Sequence, residues 1–268
     1  MSLNSTPPAS PRSAGLEATL RDRRDAGTKL LVPYVTGGLD GWVQCAQACE
    51  AAGADAIEIG IPFSDPVMDG PVIQEASVRA LNLGATPDSI LSELTTADLS
   101  IPVVVMTYAN IAMHSGANRF AEKLATAGVS GAILPDLPLD EGEPWFRAAD
   151  ANGVETVLLG APNSTDERLA QICERSRGFV YGVSLLGVTG ERDELAASAH
   201  EIGGRLMALT DVPVLLGVGV STPDQARLAA RSANGVIVGS ALVRRILDGG
   251  GPEAVESFVG DLRHALDG

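Results

Sequence analysis

Lysine is almost missing from this chain: among 268 residues there are only Lys29 and Lys123. Lys29 opens an apolar run and Lys123 falls in a helical stretch, so neither is placed to form a Schiff base at the end of a strand. Histidine is scarce as well. Of His114, His200 and His264, the last two fall in helical stretches and none forms a ligand pair, which argues against a catalytic zinc. Cys45, Cys49 and Cys173 are an odd number without metal-type spacing, and the first two share a helix face and read as core thiols. Basic charge is in deficit, with 19 Lys and Arg against 34 Asp and Glu and a formal net charge of −15. That balance argues against nucleic acid, whose binders present a basic face. No apolar run is long enough to span a bilayer, so no membrane partner is expected. Residues 1–13 are Ser- and Pro-rich and lack the apolar core of a secretory signal. Residues 1–14 are therefore expected to be a disordered tail, and the protein to be cytoplasmic.

What is present is a repeated alternation in a chain that is 45% hydrophobic. Short apolar runs fall at 30–35, 56–61, 102–107, 131–134, 154–159, 179–183, 212–216 and 236–238. Between them lie stretches of helical spacing at 42–52, 72–83, 87–96, 117–127, 141–151, from an Asn163-Ser164 cap to 175, 193–209, from a Ser221-Thr222-Pro223 cap to 231, and 241–247. A charged helix precedes the first run at 15–27, and a last one starts at Pro252. Several helices stop at a glycine just before the next strand, namely Gly53, Gly128 and Gly153. Alternating strands and helices imply a parallel sheet. Eight units in this length fit a single (β/α)8 TIM barrel over 15–268, with an extra N-terminal helix and extra helices after strands 2 and 8. An open doubly wound sheet fits less well, because no Gly-rich turn with a following acid stands out after the first strand.

The stretch 56–71 organises the rest. It begins as a buried strand with a glutamate in its middle. Side chains alternate along a strand, so Glu58 faces opposite to Ile57, Ile59 and Ile61 and points into the barrel if those pack against helices. A carboxylate there is costly unless it is partnered, protonated or used. A stiff Pro-rich loop follows and carries Asp65 and Asp69. A structural ion pair with an interior arginine, plus two turn aspartates, fits the same residues, and residue type leaves both readings open. Asp69 lies just before Pro71, at a helix N-terminus that favours an ionised carboxylate, so it is expected to stay charged while Glu58 is neutral.

Two further groups point to a site at the C-terminal ends of the strands, where barrels place their working residues. Tyr34, Tyr108 and Tyr181, the chain's three tyrosines, fall on or just after strands 1, 3 and 6 and read singly as core aromatics, together as walls of an apolar pocket with polar tips. Glycine clusters follow the last three strands: Gly187 with Thr189 and Gly190, Gly217 with Gly219, and Gly239 with Ser240. Glycine lets backbone N–H groups approach a ligand, and Ser240 opens a helix whose N-terminus favours an anion. No Lys or Arg lies in the clusters themselves, while Arg227 and Arg231 lie in a helix between them. A phosphate held by backbone dipoles without a cationic side chain is the expectation. The chemistry left is carboxylate acid–base work on a phosphorylated substrate with its own electron sink.

At this level of detail the chain resembles the α subunit family of tryptophan synthase. The resemblance runs from about Leu16 onward and rests on residues 58–71, with support from Pro33-Tyr34-Val35-Thr36, Met106-Thr107-Tyr108-Ala109-Asn110, Pro135-Asp136-Leu137-Pro138 and the three glycine clusters. It implies retro-aldol cleavage of indole-3-glycerol phosphate to indole and glyceraldehyde 3-phosphate. It implies Glu58 and Asp69 as the catalytic acids, Glu58 at the indole C3 carbon and the glycerol hydroxyl and Asp69 at the indole N–H. Substrate would be bound by Tyr34, Tyr108, Tyr181, Thr189, Gly190, Gly217, Gly219, Gly239 and Ser240. It implies no metal and no cofactor in this chain, and a β subunit carrying pyridoxal phosphate in an α2β2 heterotetramer, met by Pro62, Asp65 and Asp136. Leu185 stands where some members carry arginine, and Tyr34 where others carry phenylalanine. A phosphate-binding barrel isomerase and a non-catalytic barrel that activates a partner are the alternatives.

Overall fold

The computed structural model describes residues 15–183 and 192–268. Eight parallel strands, β1 to β8, close into a barrel in sequence order. They are Leu30–Thr36, Ile57–Gly60, Val103–Met106, Gly131–Ile133, Glu155–Gly160, Val180–Val183, Val214–Gly217 and Gly235–Val238. Closure is between β1 and β8, with Leu31 opposite Val236 and Pro33 opposite Val238. Helices α1 to α12 surround it: Leu16–Asp25, Trp42–Ala51, Pro71–Asn82, Pro87–Thr96, Ala109–His114, Ala117–Thr126, Glu143–Ala151, Asp166–Arg175, Arg192–Met207, Pro223–Ala229, Ser240–Leu247 and Gly251–Asp267. Two helices each follow β2, β3 and β8, so the extra helices after strands 2 and 8 are present. The short α5 after β3 is one that apolar spacing did not announce, because six residues are too few to show a period.

The alternation along the strands sorts the core into two shells. Leu31, Ile57, Ile59, Val103, Val105, Val214 and Val236 face outward and pack with Trp42, Leu94, Leu124, Trp145 and Val259 of the helices. Leu30, Val32, Val104, Ile133, Val157, Phe179, Leu215 and Ile237 face inward and fill the barrel. Leu16 and Leu20 of α1 join the inner group, so α1 is a plug over the N-terminal end of the barrel. The Glu155 carboxylate on β5 accepts the Glu17 N–H at 2.7 Å and so caps the plug.

Local signals place the helices that matter for the site. Pro71 starts α3 after an N-cap at Gly70. Thr222 caps α10 by accepting the Gln225 N–H. The cap expected at Asn163-Ser164 is instead at Thr165, whose hydroxyl accepts the Arg168 N–H at 3.2 Å. Ser164 is taken up one step earlier, in a turn that bonds its N–H to the Ala161 carbonyl at 3.0 Å. No helix among the described residues is long and apolar enough to cross a membrane.

Candidate active site

Glu58 lies on β2 in register with Tyr34 on β1 and Val104 on β3. Ile57 and Ile59 face the helices, so Glu58 points inward, as alternation requires. It is 1% exposed. Among the described residues no arginine pairs with it and its Oε2 atom has no hydrogen-bond partner. Burial, and then the nearby Asp69 charge, push its carboxyl up to about 8. No structural ion pair forms among the described residues, and both the burial and the neighbouring Asp69 favour the neutral acid, which sits above the apolar fill of the barrel.

Glu58 opens into a cavity of about 560 Å3 at the C-terminal ends of the strands. Tyr34, Asp69, Tyr181, Gly217, Gly219, Gly239 and Ser240 also line it. Tyr34 packs so closely over Gly60 of β2 that a Cβ there would strike its hydroxyl. Tyr181 covers Gly217 in the same way, so the two rings lie on the barrel mouth because β2 and β7 offer no side chain at those points. Gly219 has φ +81°, a left-handed conformation that side chains rarely adopt, and open space stands where its Cβ would be. At Gly239, α11 begins without a side-chain cap. Ser240 and Ala241 open that helix and line this end of the cavity, while the N–H groups of Leu242 and Val243 donate to the Gly239 carbonyl at 2.9 and 3.0 Å.

Asp69 is half-buried in the loop between β2 and α3. Burial pushes its carboxyl up to about 6, against a hydrogen bond from Tyr108 that lowers it. The helix N-terminus was expected to hold Asp69 fully charged; burial outweighs it. The order of the two acids survives, since about 6 is still below about 8. Tyr108 is not on the cavity wall. Its hydroxyl donates to Asp69 Oδ2 at 3.0 Å and accepts the Met68 N–H at 3.0 Å. Phe63 stacks on the Tyr108 ring with centroids 5.0 Å apart. Tyr108 is thus a support that orients Asp69.

The sequence and the architecture match known proteins. A family model described as tryptophan synthase alpha chain matches residues 20–259. The tryptophan synthase alpha chain of Thermobifida fusca is 45% identical over 240 residues, 87% of this chain and 89% of that one. That of a Synechococcus strain is 40% identical over 268 residues, covering 97% of this chain and 100% of its own. A solved Mycobacterium tuberculosis tryptophan synthase chain superposes with a TM-score of 0.87 at 38% identity, over 95% of this chain and 99% of that one. A Legionella pneumophila alpha subunit gives 0.84 at 32% identity, over 94% and 98%.

The chain belongs to the tryptophan synthase alpha chain family. It is a lyase of tryptophan biosynthesis that cleaves indole-3-glycerol phosphate, and the alpha chain works with a beta subunit. Of the site residues named from sequence in this alpha chain, Glu58, Asp69, Tyr34, Tyr181, Gly217, Gly219, Gly239 and Ser240 meet around one cavity. Thr189, Gly190 and Leu185 lie outside the described residues. Asp65 and Asp136 are exposed. Asp136 also accepts the Ala109 N–H at 2.8 Å, which ties the loop after β4 to α5. Pro62 is buried in this chain. Arg244, also on the cavity wall, was missed. The signal was there in its spacing of four from Ser240, which puts both on one helix face.

Proposed function

We propose that in this alpha chain Glu58 and Asp69 divide the retro-aldol cleavage between them. The observation that supports this is the ordering of two carboxyls on one cavity, buried Glu58 at about 8 and half-buried Asp69 at about 6. Near neutrality Glu58 holds a proton and Asp69 is ionised. Glu58 gives its proton to C3 of the indole ring, and Asp69 accepts the hydrogen bond of the ring N–H, which becomes more acidic as positive charge builds on nitrogen. Now a carboxylate, Glu58 takes the proton of the glycerol hydroxyl. The carbon–carbon bond to C3 breaks, its electrons return to the ring, and the hydroxyl carbon leaves as the aldehyde of glyceraldehyde 3-phosphate. Protons balance, and Glu58 ends as it began. The protonated indole ring is the electron sink, so the step calls on neither a lysine nor a metal.

Tyr34 and Tyr181 flank the ring, and the N–H groups around Gly217, Gly219, Gly239 and Ser240 receive the phosphate, with Thr189 and Gly190 completing the cradle. Asp65, with Val67 and Met68 beside it at 74% and 43% exposed, and Asp136 form the surface for the beta subunit. That subunit carries the pyridoxal phosphate and receives indole within an α2β2 assembly in the cytoplasm. Release of indole from indole-3-glycerol phosphate, followed with and without added beta subunit, tests the reading. Absence of indole under both conditions refutes it.

A further inference from the structure

The cradle described above meets a doubly negative phosphate with backbone dipoles, inside a chain of net charge −15 and beside two carboxyls. Arg244 is the one cationic side chain on the cavity wall among the described residues. It lies on α11, one turn beyond Ser240. Its Nη2 donates to Glu75 Oε2 at 2.7 Å, and Asp248 is 3.7 Å from its Nη1. Glu75 belongs to α3, the helix that starts directly after Asp69 and Gly70. Arg79, also on α3, donates to the Leu247 carbonyl at 3.2 Å and holds the two helices together without needing Arg244.

The Arg244 and Glu75 side chains are 41% and 55% exposed. An ion pair that open to water stabilises little and yields readily to a competing anion. A guanidinium also offers a fork of donors that matches a phosphate face. We infer that Arg244 reads the charge of the substrate phosphate, held at the rim by Glu75 until a dianionic ligand takes it. This inference rests on the phosphate lying at the Gly217–Ser240 end of the cavity. Arg244 then separates phosphorylated from unphosphorylated indole compounds and raises the rate of capture at low salt.

Calorimetry with glycerol 3-phosphate and with indole, at low and high salt, tests it on four full-length chains: wild type, Arg244→Gln, Arg244→Lys and Glu75→Gln. Arg244→Gln should weaken glycerol 3-phosphate about tenfold at low salt, flatten its salt dependence and leave indole unchanged. Arg244→Lys should restore the salt dependence and part of the affinity. Glu75→Gln should tighten glycerol 3-phosphate, because it removes the competing anion. Wild-type affinity and salt dependence in Arg244→Gln overturn the inference. So does a Glu75→Gln chain that loses affinity as Arg244→Gln does, since the pair would then act only as a brace. A wild-type chain that shows the Arg244-dependent binding but releases no indole would refute the cleavage proposal and leave this one standing.

Discussion

Replacing Glu58 by glutamine should abolish cleavage and, as pH rises, make the protein progressively more stable than wild type. In the unfolded chain this carboxyl titrates near 4.5, and in the fold near 8. The sign follows from which state holds the proton. Below about pH 4.5 both states are protonated, and Glu58 contributes no pH-dependent difference. Between about 4.5 and 8 the unfolded state ionises while the folded state does not, so unfolding gains free energy with each step in pH. Above about 8 both are ionised and the difference is constant. The gap corresponds to a total of about 5 kcal/mol, of which about 3 kcal/mol is in force at pH 7.

Glutamine does not titrate. Its amide adds a constant offset through its own hydrogen bonding, and that offset drops out of the pH dependence. The stability of Glu58→Gln relative to wild type should therefore rise by about 5 kcal/mol between about pH 4 and pH 9, a swing in Tm difference on the order of 10 °C. Thermal unfolding of both chains across that range, followed by circular dichroism, gives the slope. Indole release measured on the same samples should fall by about 10²–10⁴-fold or more. A Tm difference that does not change with pH would show that Glu58 is ionised in the fold, and near-wild-type turnover would remove it from the chemistry.

The remaining expectations concern the groups around it. Cleavage against pH should give a bell with limbs near 6 and 8, because Asp69 must be ionised and Glu58 protonated, and Tyr108→Phe should move the acid limb upward by removing the hydrogen bond that lowers Asp69; an unmoved limb refutes the supporting role of Tyr108. Asp69→Asn should cripple cleavage and spare glycerol 3-phosphate affinity, so a large loss in calorimetry would mean that Asp69 shapes the whole cavity. Gly217→Glu should abolish binding of the phosphorylated substrate, because its Cβ would collide with the Tyr181 ring, whereas Ser240→Ala should lose about 1.5–3 kcal/mol, one hydrogen bond to a charged group; wild-type binding by Gly217→Glu would place the phosphate elsewhere. Asp65→Ala should weaken activation by sub-saturating beta subunit more than it weakens ligand binding, and equal activation of the two chains counts against the surface proposed.

The barrel was legible because its signals are local and repeat eight times. A buried parallel strand is apolar on both faces, and each helix must end before the next strand starts, so short apolar runs mark every unit and terminal glycines several of them. The inward direction of Glu58 followed from the same logic, since three isoleucines at alternate positions fix the face of the residue between them. The Thr165 cap and the short α5 were less legible. Adjacent Asn163, Ser164 and Thr165 are all competent caps, and only the Ser164–Ala161 turn decides among them.

The site residues divide along the same line between local and non-local causes. Glycine at 217 was read as a close approach for a phosphate, and the structure adds a second reason for it: a Cβ there would strike the Tyr181 ring, a contact between neighbouring strands β6 and β7 that no single stretch reveals. Tyr108 was read as pocket wall because its position just after β3 is right for one. Its hydroxyl is instead spent on Asp69 and Met68, 39 and 40 residues away along the chain. Asp69 likewise was judged from the helix that follows it, and its pKa is governed by what buries it. A helix N-terminus supplies at most about 1–2 kcal/mol, while desolvation of a carboxylate costs several. Local setting therefore singled out the two acids that line the cavity, and tertiary burial set the direction of their pKa shifts. That is why the raised Glu58 and the order of the two acids could be anticipated, while the upward shift of Asp69 could not.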